Sequence, residues 1–325
     1  TIMDKLISFS VPLMLSGILQ LMFNAVDIIV VGRFSGSVAL AAVGSTTALI
    51  NVFTNLFIGI SLGANVLAAR FFAAGRDKEM SDTVHTAITL ALISGVIMAF
   101  VGLFFSRGAL ELMGTPEDVI GQSALYMKIY FLGMPFFMLY NYGAAILRAV
   151  GDTKRPLIFL IVSGIVNAGL NMILVILFHL DVAGVAIATV ISQLISCILV
   201  LRCLYLSQTS YQLRFSKLKI NTTYLKQIFQ VGVPAGIQST VINFSNALLQ
   251  SSVNSFGSIA MAGYTAANNI FGFLYVSVNS VTQACMSFTS QNYGVKKYKR
   301  MDKVLIDCVI ISMVTSLTLG CCAYF

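Results

Sequence analysis

The sequence predicts an all-α polytopic membrane protein built as two related lobes, the second of them incomplete. Three observations carry that prediction. The first is composition: 58% of the 325 residues are hydrophobic, 10% are charged and the mean hydropathy is +0.89. A soluble domain is roughly half apolar and a quarter charged. The second is segmentation into nine apolar runs, at about 7–31, 45–69, 84–105, 122–147, 157–178, 182–206, 228–254, 260–290 and 304–325. Each supplies the roughly 20 residues a helix needs to cross a hydrocarbon core. Their length and continuity exclude the short alternating strands of a barrel. The third is an internal repeat that restarts the pattern after residue 224.

Span one is entered from the stretch TIMDKLISFS. Its apolar run is too long for a signal peptide, and no small-residue cleavage site follows. The chain opens on Thr1, so a leader segment is expected to precede it. The span carries Gln20, Asn24 and Asp27 at i, i+4 and i+7, which stacks them on one helical face. Asp27 is read as the only acidic residue deep inside a span. A carboxylate at that depth costs at least about 2.5–3.5 kcal/mol, so it is usually retained for function.

Span two carries Gly59 and Gly63, a spacing that suits close helix packing. Span three begins near His85, and His179 lies near the end of span five; neither has an acidic or thiol cluster that would make a metal site. Span four holds Lys128 and Pro135. Pro135, Pro12 and Pro234 free backbone carbonyls and permit bends. Span five presents Asn167 and Asn171 four residues apart, and span six opens with Thr189 among small residues. The polar stretch from Ser207 to Tyr224 then separates residues 1–206, spans one to six, from residues 225–325, spans seven to nine.

Span seven carries Gln238, Asn246, Gln250 and Asn254 along one stripe, and span eight adds Asn268, Asn269, Asn279 and Gln283, with no charge among them. These amides beside many Phe, Tyr and Met residues suit a wide cleft for amphiphilic molecules. The packing alternative is that they are interhelical glue, worth about 0.6 kcal/mol apiece. The six cysteines have no metal-type spacing and read as small packing residues.

Charge sets orientation. Seventeen of the twenty Lys and Arg fall on one side if the N-terminus is cytoplasmic, against Arg33, Arg107 and Lys128 elsewhere. That asymmetry predicts basic loops inside, and it accounts for the net charge of +8 without nucleic acid as a partner.

The repeat aligns KLISFSVPLMLSGI with KQIFQVGVPAGIQS, Pro12 with Pro234, RFSGSVALAAVG with SFGSIAMAGYT and the GRDKEM turn with GVKKYK. Six spans separate the two starts, so both copies enter with the same orientation, a parallel repeat about an axis along the membrane normal. The second copy stops after three spans, and three further spans are expected in the full protein.

LRAVGDTKRP, VDIIVVG, VGVPAGIQS and SFTSQNYG together resemble the corresponding segments of multidrug and toxic compound extrusion (MATE) transporters. The resemblance covers the whole chain. It implies two six-helix lobes around a cleft that opens alternately to each side, and export of organic compounds against inward Na⁺ or H⁺, with no cofactor beyond that ion. By position, Asp27 matches the family's span-one carboxylate, and Asn167 and Thr189 match neutral ligands of its cation site. Asn171 stands where some members have a second Asp, which leaves one carboxylate and both ions open. Gln238 stands where some members carry a Glu.

The expected function is therefore a cation-coupled antiporter of the bacterial inner (plasma) membrane, monomeric, exporting cationic or neutral organic compounds. Asp27, Asn167, Asn171 and Thr189 form its coupling site, with Na⁺ as a candidate occupant, while Gln20, Asn24, Gln238, Asn246, Gln250, Asn268, Asn279 and Gln283 are candidates for the substrate cleft. The alternative is a flippase for lipid-linked saccharides, which should hold a pyrophosphate with several basic residues; the spans offer Lys128 alone. A membrane enzyme has no carboxylate pair, Ser–His arrangement or metal cluster to support it.

Overall fold

The computed structural model describes the backbone of residues 1–254 and 258–324, and the side chains of these except 48, 247, 250, 251, 254, 258–262, 265, 266, 269, 323 and 324. The described residues form long helices and no strand: α1 (Ile2–Phe34), α2 (Gly36–Ala73), α3 (Asp77–Leu112), α4 (Glu117–Leu132), α5 (Met134–Ala149), α6 (Lys154–Asn171), α7 (Asp181–Leu206), α8 (Thr222–Asn254), α9 (Ser258–Gly294) and α10 (Tyr298–Tyr324). By length and composition α1, α2, α3, α6 with the segment after it, α7 and α10 are each able to cross a membrane. The α4–α5 pair makes one further span, bent by 47°. The helices of the expected spans seven and eight, α8 and α9, are 33 and 37 residues long, yet among the described residues neither has a stretch as apolar as those of the other spans, because amides interrupt it.

The bend in span four follows from its sequence. Pro135 lies in the first turn of α5, directly after the break at Gly133. It donates no N–H and its ring would clash with the preceding turn, so the helix restarts there instead of continuing. Span five also departs from a plain helix. After Asn171 the chain continues as a π-helical turn over Met172–Leu177, a wider turn that often accompanies functional positions.

The LRAVGDTKRP motif is a tight connection between α5 and α6. Gly151 sits at φ +95°, a region that disfavours side chains, and its N–H closes onto the Arg148 carbonyl at 3.0 Å. Asp152 then accepts the Arg155 N–H at 3.1 Å, satisfying a free donor of the first turn of α6.

Two features join residues 222–294 to the first six spans. Gly59 and Gly63 of α2 cross Gly232 and Gly236 of α8. A Cβ on Gly59 would collide with the Gly236 backbone, one on Gly63 with Ile228 O, one on Gly236 would lie 2.6 Å from Leu56 O, and one on Gly232 2.5 Å from the Ile60 Cα. Two small-xxx-small stripes therefore meet backbone to backbone, the geometry that gives membrane helices their closest dispersion contacts. Beside this crossing, Ser287 of α9 donates to Asn65 Oδ1 at 3.0 Å while Asn65 Nδ2 donates to Ala145 O at 2.8 Å. Gln291 Nε2 likewise donates to Ala149 O at 2.8 Å.

The loop at 207–221 is tied down by α3. Buried His85 accepts the Arg214 N–H on Nε2 at 3.1 Å and is held at 2.6 Å from Ser81 O through Nδ1, which assigns the proton to Nδ1. Thr86 Oγ1 accepts the Asn221 N–H at 3.1 Å. Replacing His85 with Ala leaves the Arg214 N–H without its acceptor, a loss of about 1–3 kcal/mol if it stays buried. We expect faster tryptic cleavage at Arg214, Lys217 and Lys219 in the H85A protein. Unchanged cleavage rates would show that His85 does not hold the loop.

Candidate functional site

A cavity of about 290 Å³ lies among α1, α2, α4, α5, α6 and α7. All of its lining residues come from positions 20–196, and none is Lys, Arg or His. Its wall carries Asp27 with Gln20 and Asn24 from α1, Asn167 from α6 and Thr189 from α7. The i, i+4, i+7 stack thus puts the three polar side chains of span one on the cavity side, and the four-residue spacing on α6 sets Asn171 beside the lining residue Asn167.

The hydrogen bonds form one chain through the site. Asn171 Nδ2 donates to Asp27 Oδ1, and also lies 3.3 Å from Asn167 Oδ1. Asn167 Nδ2 reaches Thr189 Oγ1 at 3.5 Å, and Thr189 in turn donates to Val185 O at 2.9 Å. Asn167 and Asn171 are buried, while Asp27 and Thr189 are partly accessible. Asn171 Oδ1 is buried without a hydrogen-bond partner. A buried amide oxygen with no donor costs of order 1–3 kcal/mol. Together with a carboxylate, it offers the hard oxygen ligands that suit a small cation. No salt bridge reaches Asp27 among the described residues.

The cavity has polar contributors that sequence reasoning passed over. Asn51 and Asn55 of α2 repeat the i, i+4 amide spacing in NVFTNLF and line the cavity with Thr54; the same periodicity argument would have found them. Tyr126 and Tyr130 of α4, with ring centroids 6.0 Å apart, form the opposite wall with Gln193 of α7. A tyrosine in an apolar span gives no such signal on its own.

The other amides do not gather here. Gln238, Asn246, Asn268 and Asn279 are exposed on α8 and α9, away from the cavity. Gln283 faces Arg148, Asn65 and Ser287 at the α2–α9 seam. Gln250, Asn254 and Asn269 lie outside the described side chains. A second buried acid lies near a span end. Asp307 of α10 is 7% exposed, and its Oδ2 has no hydrogen-bond partner. It stands one turn inside the expected span 304–325, beside Asp302 and Lys303, and so is not at the depth of Asp27 within its span.

The family model for MatE matches residues 12–173 and 234–325. A probable multidrug resistance protein, YoeA, of Bacillus subtilis strain 168 is 34% identical over 306 residues, covering 91% of this chain and 66% of that protein. The multidrug export protein MepA of Staphylococcus aureus strain NCTC 8325 is 23% identical over 313 residues, 96% of this chain and 69% of that one. This chain thus spans about two thirds of the length of such relatives. Among solved structures, a crystal structure of MATE in the bent conformation superposes with a TM-score of 0.90 at 22% identity, covering 97% of this chain and 70% of that one. An outward-facing multidrug resistance MATE transporter also gives 0.90, at 22% identity over 98% and 70%. These likenesses show the fold, and the family match with its 34% relative carries the assignment: the chain belongs to the MatE family, whose members are transporters and not enzymes.

Proposed function

We propose that the full protein is a cation-coupled antiporter that exports organic compounds by alternating access. The observation that carries this reading is the Asp27–Asn171–Asn167–Thr189 chain in a cavity with no basic residue. The carboxylate there has no positive counter-charge of its own, so an incoming Na⁺ or H⁺ supplies it. A ligand shifts a conformational balance only through its different affinity for the two states. Cation occupancy supplies that difference by changing how α1 packs on α6 and α7. The multidrug resistance and export relatives support an organic substrate, cationic or neutral, and the exposed amides of α8 and α9 with Gln283 are proposed for its path. We place the protein as a monomer in the bacterial inner (plasma) membrane with its N-terminus and basic loops cytoplasmic. On this reading the chain holds nine of twelve spans in two lobes, 1–206 and 225–325. The cavity wall without Lys, Arg or His gives a saccharide pyrophosphate no anchor.

The test is efflux of ethidium from proteoliposomes of the full-length protein, with Na⁺ and H⁺ gradients imposed separately. Efflux should follow at least one gradient and stop when it is collapsed. Equal rates with and without either gradient would overturn cation coupling and leave a passive pathway.

A further inference from the structure

A second recess, of about 600 Å³, opens on the outer side of the α6–α7 pair and shares no lining residue with the cavity around Asp27. It lies at the end of the bundle that carries the basic loops. Arg155, in the first turn of α6, and Arg202, in the last turns of α7, stand at its mouth. Phe159, Leu199 and Leu206 line its wall, and Ser207 and the loop behind it form the floor. Arg155 is held by Asp152 at 3.3 Å and by Cys203 Sγ at 3.5 Å. Arg202 makes no salt bridge among the described residues. Near the recess the helix faces are apolar and exposed: Ile158, Ile165 and Ile198 are each more than half accessible. Beside it, Tyr205 stacks on Phe215 of the loop with centroids 5.8 Å apart, both half exposed.

We propose that this recess binds the headgroup of an anionic glycerophospholipid. The exposed isoleucines mark a face that meets acyl chains. Two arginines at the end of that face are placed where a lipid phosphate lies, and guanidinium forks suit phosphate oxygens. Phe159, Leu199 and Leu206 take the first carbons of the chains, and Ser207 offers a hydroxyl to the glycerol. Basic pockets between helices at the cytoplasmic surface hold anionic headgroups in this way. Arg202, without an acid, is the main attractor, and Arg155 is pre-positioned by Asp152.

The experiment is native mass spectrometry of delipidated full-length protein titrated with dioleoyl phosphatidylglycerol, dioleoyl phosphatidylcholine or inorganic phosphate. Phosphatidylglycerol should bind R155Q/R202Q roughly 25-fold more weakly than wild type, about a factor of five for each arginine. K296Q/K299Q, which removes two charges of the same end away from the recess, should bind like wild type. R202K keeps the charge but not the fork and should bind between wild type and R155Q/R202Q, and an R155Q/R202Q melting temperature matching wild type excludes misfolding as the cause. Equal binding by R155Q/R202Q and wild type would overturn the site. So would equal affinity for phosphatidylcholine, or displacement of the lipid by millimolar inorganic phosphate, which would mark a plain anion site.

Discussion

Asp27→Asn should abolish gradient-driven efflux while the protein still folds and still binds its organic substrate. The substitution keeps the shape of the side chain and a hydrogen-bond acceptor for Asn171 Nδ2. It removes the one group in the cavity whose charge a cation can cancel. Each tenfold preference of the cation for one conformation corresponds to about 1.4 kcal/mol, and losing it leaves gradient and conformation unlinked. Efflux under the driving gradient should therefore fall at least about tenfold, to the rate seen without a gradient. Stability should hold or rise, because a carboxylate at membrane depth is costly and an amide is much less so. Ethidium efflux from proteoliposomes, paired with ethidium binding in detergent, separates the two outcomes. Full efflux by D27N would remove Asp27 from the coupling step. Loss of binding as well as efflux would place it in the substrate path instead.

Gly236→Val should have the largest structural effect. The new Cβ would lie 2.6 Å from Leu56 O and against the Leu56 side chain, where neither backbone has room to retreat without separating α2 from α8. Overpacking of this kind costs about 1–3 kcal/mol, and more when backbone is the obstacle. G59V meets the Gly236 backbone from the other side. Each variant should lower the thermal unfolding midpoint in detergent by several degrees, and the double variant should not cost the sum of the two, since one separation relieves both clashes. G108V, whose Cβ would meet nothing within 4 Å among the described residues, is the control. Melting of G236V at the wild-type temperature would show that the crossing is looser than its geometry implies.

The all-helical class and the shared faces of the polar residues on α1 and α6 were legible because helical periodicity fixes which side chains lie together. Asn167 and Asn171 are four apart, and that spacing alone puts both amides on one face of α6. What periodicity does not fix is the partner of a face. The stripe on span seven was as regular as that on span one, yet Gln238 and Asn246 are exposed while Gln20 and Asn24 line a cavity. A polar stripe in an apolar helix marks non-lipid surroundings without saying whether they are a helix, a cleft or water. Gly232 and Gly236 were hidden by Pro234 between them, which drew the reading towards a bend. Gly59 and Gly63 were read correctly as packing residues, but their counterpart lies some 170 residues away, beyond any local pattern.

That separation also has a temporal side. Synthesis proceeds at about 5–20 residues per second, so α2 is in the bilayer roughly 10–30 seconds before α8 leaves the ribosome. Throughout that interval the Gly59–Gly63 stripe has no mate of its own. The first six spans must therefore be able to stand as an assembly intermediate, with α2 held by α3 and the bent α4–α5 span. Small-xxx-small stripes also pair with their own kind. A nascent chain that stalls before residue 228 keeps an adhesive face open to every identical chain around it, and the arrival of α8 removes that face from circulation.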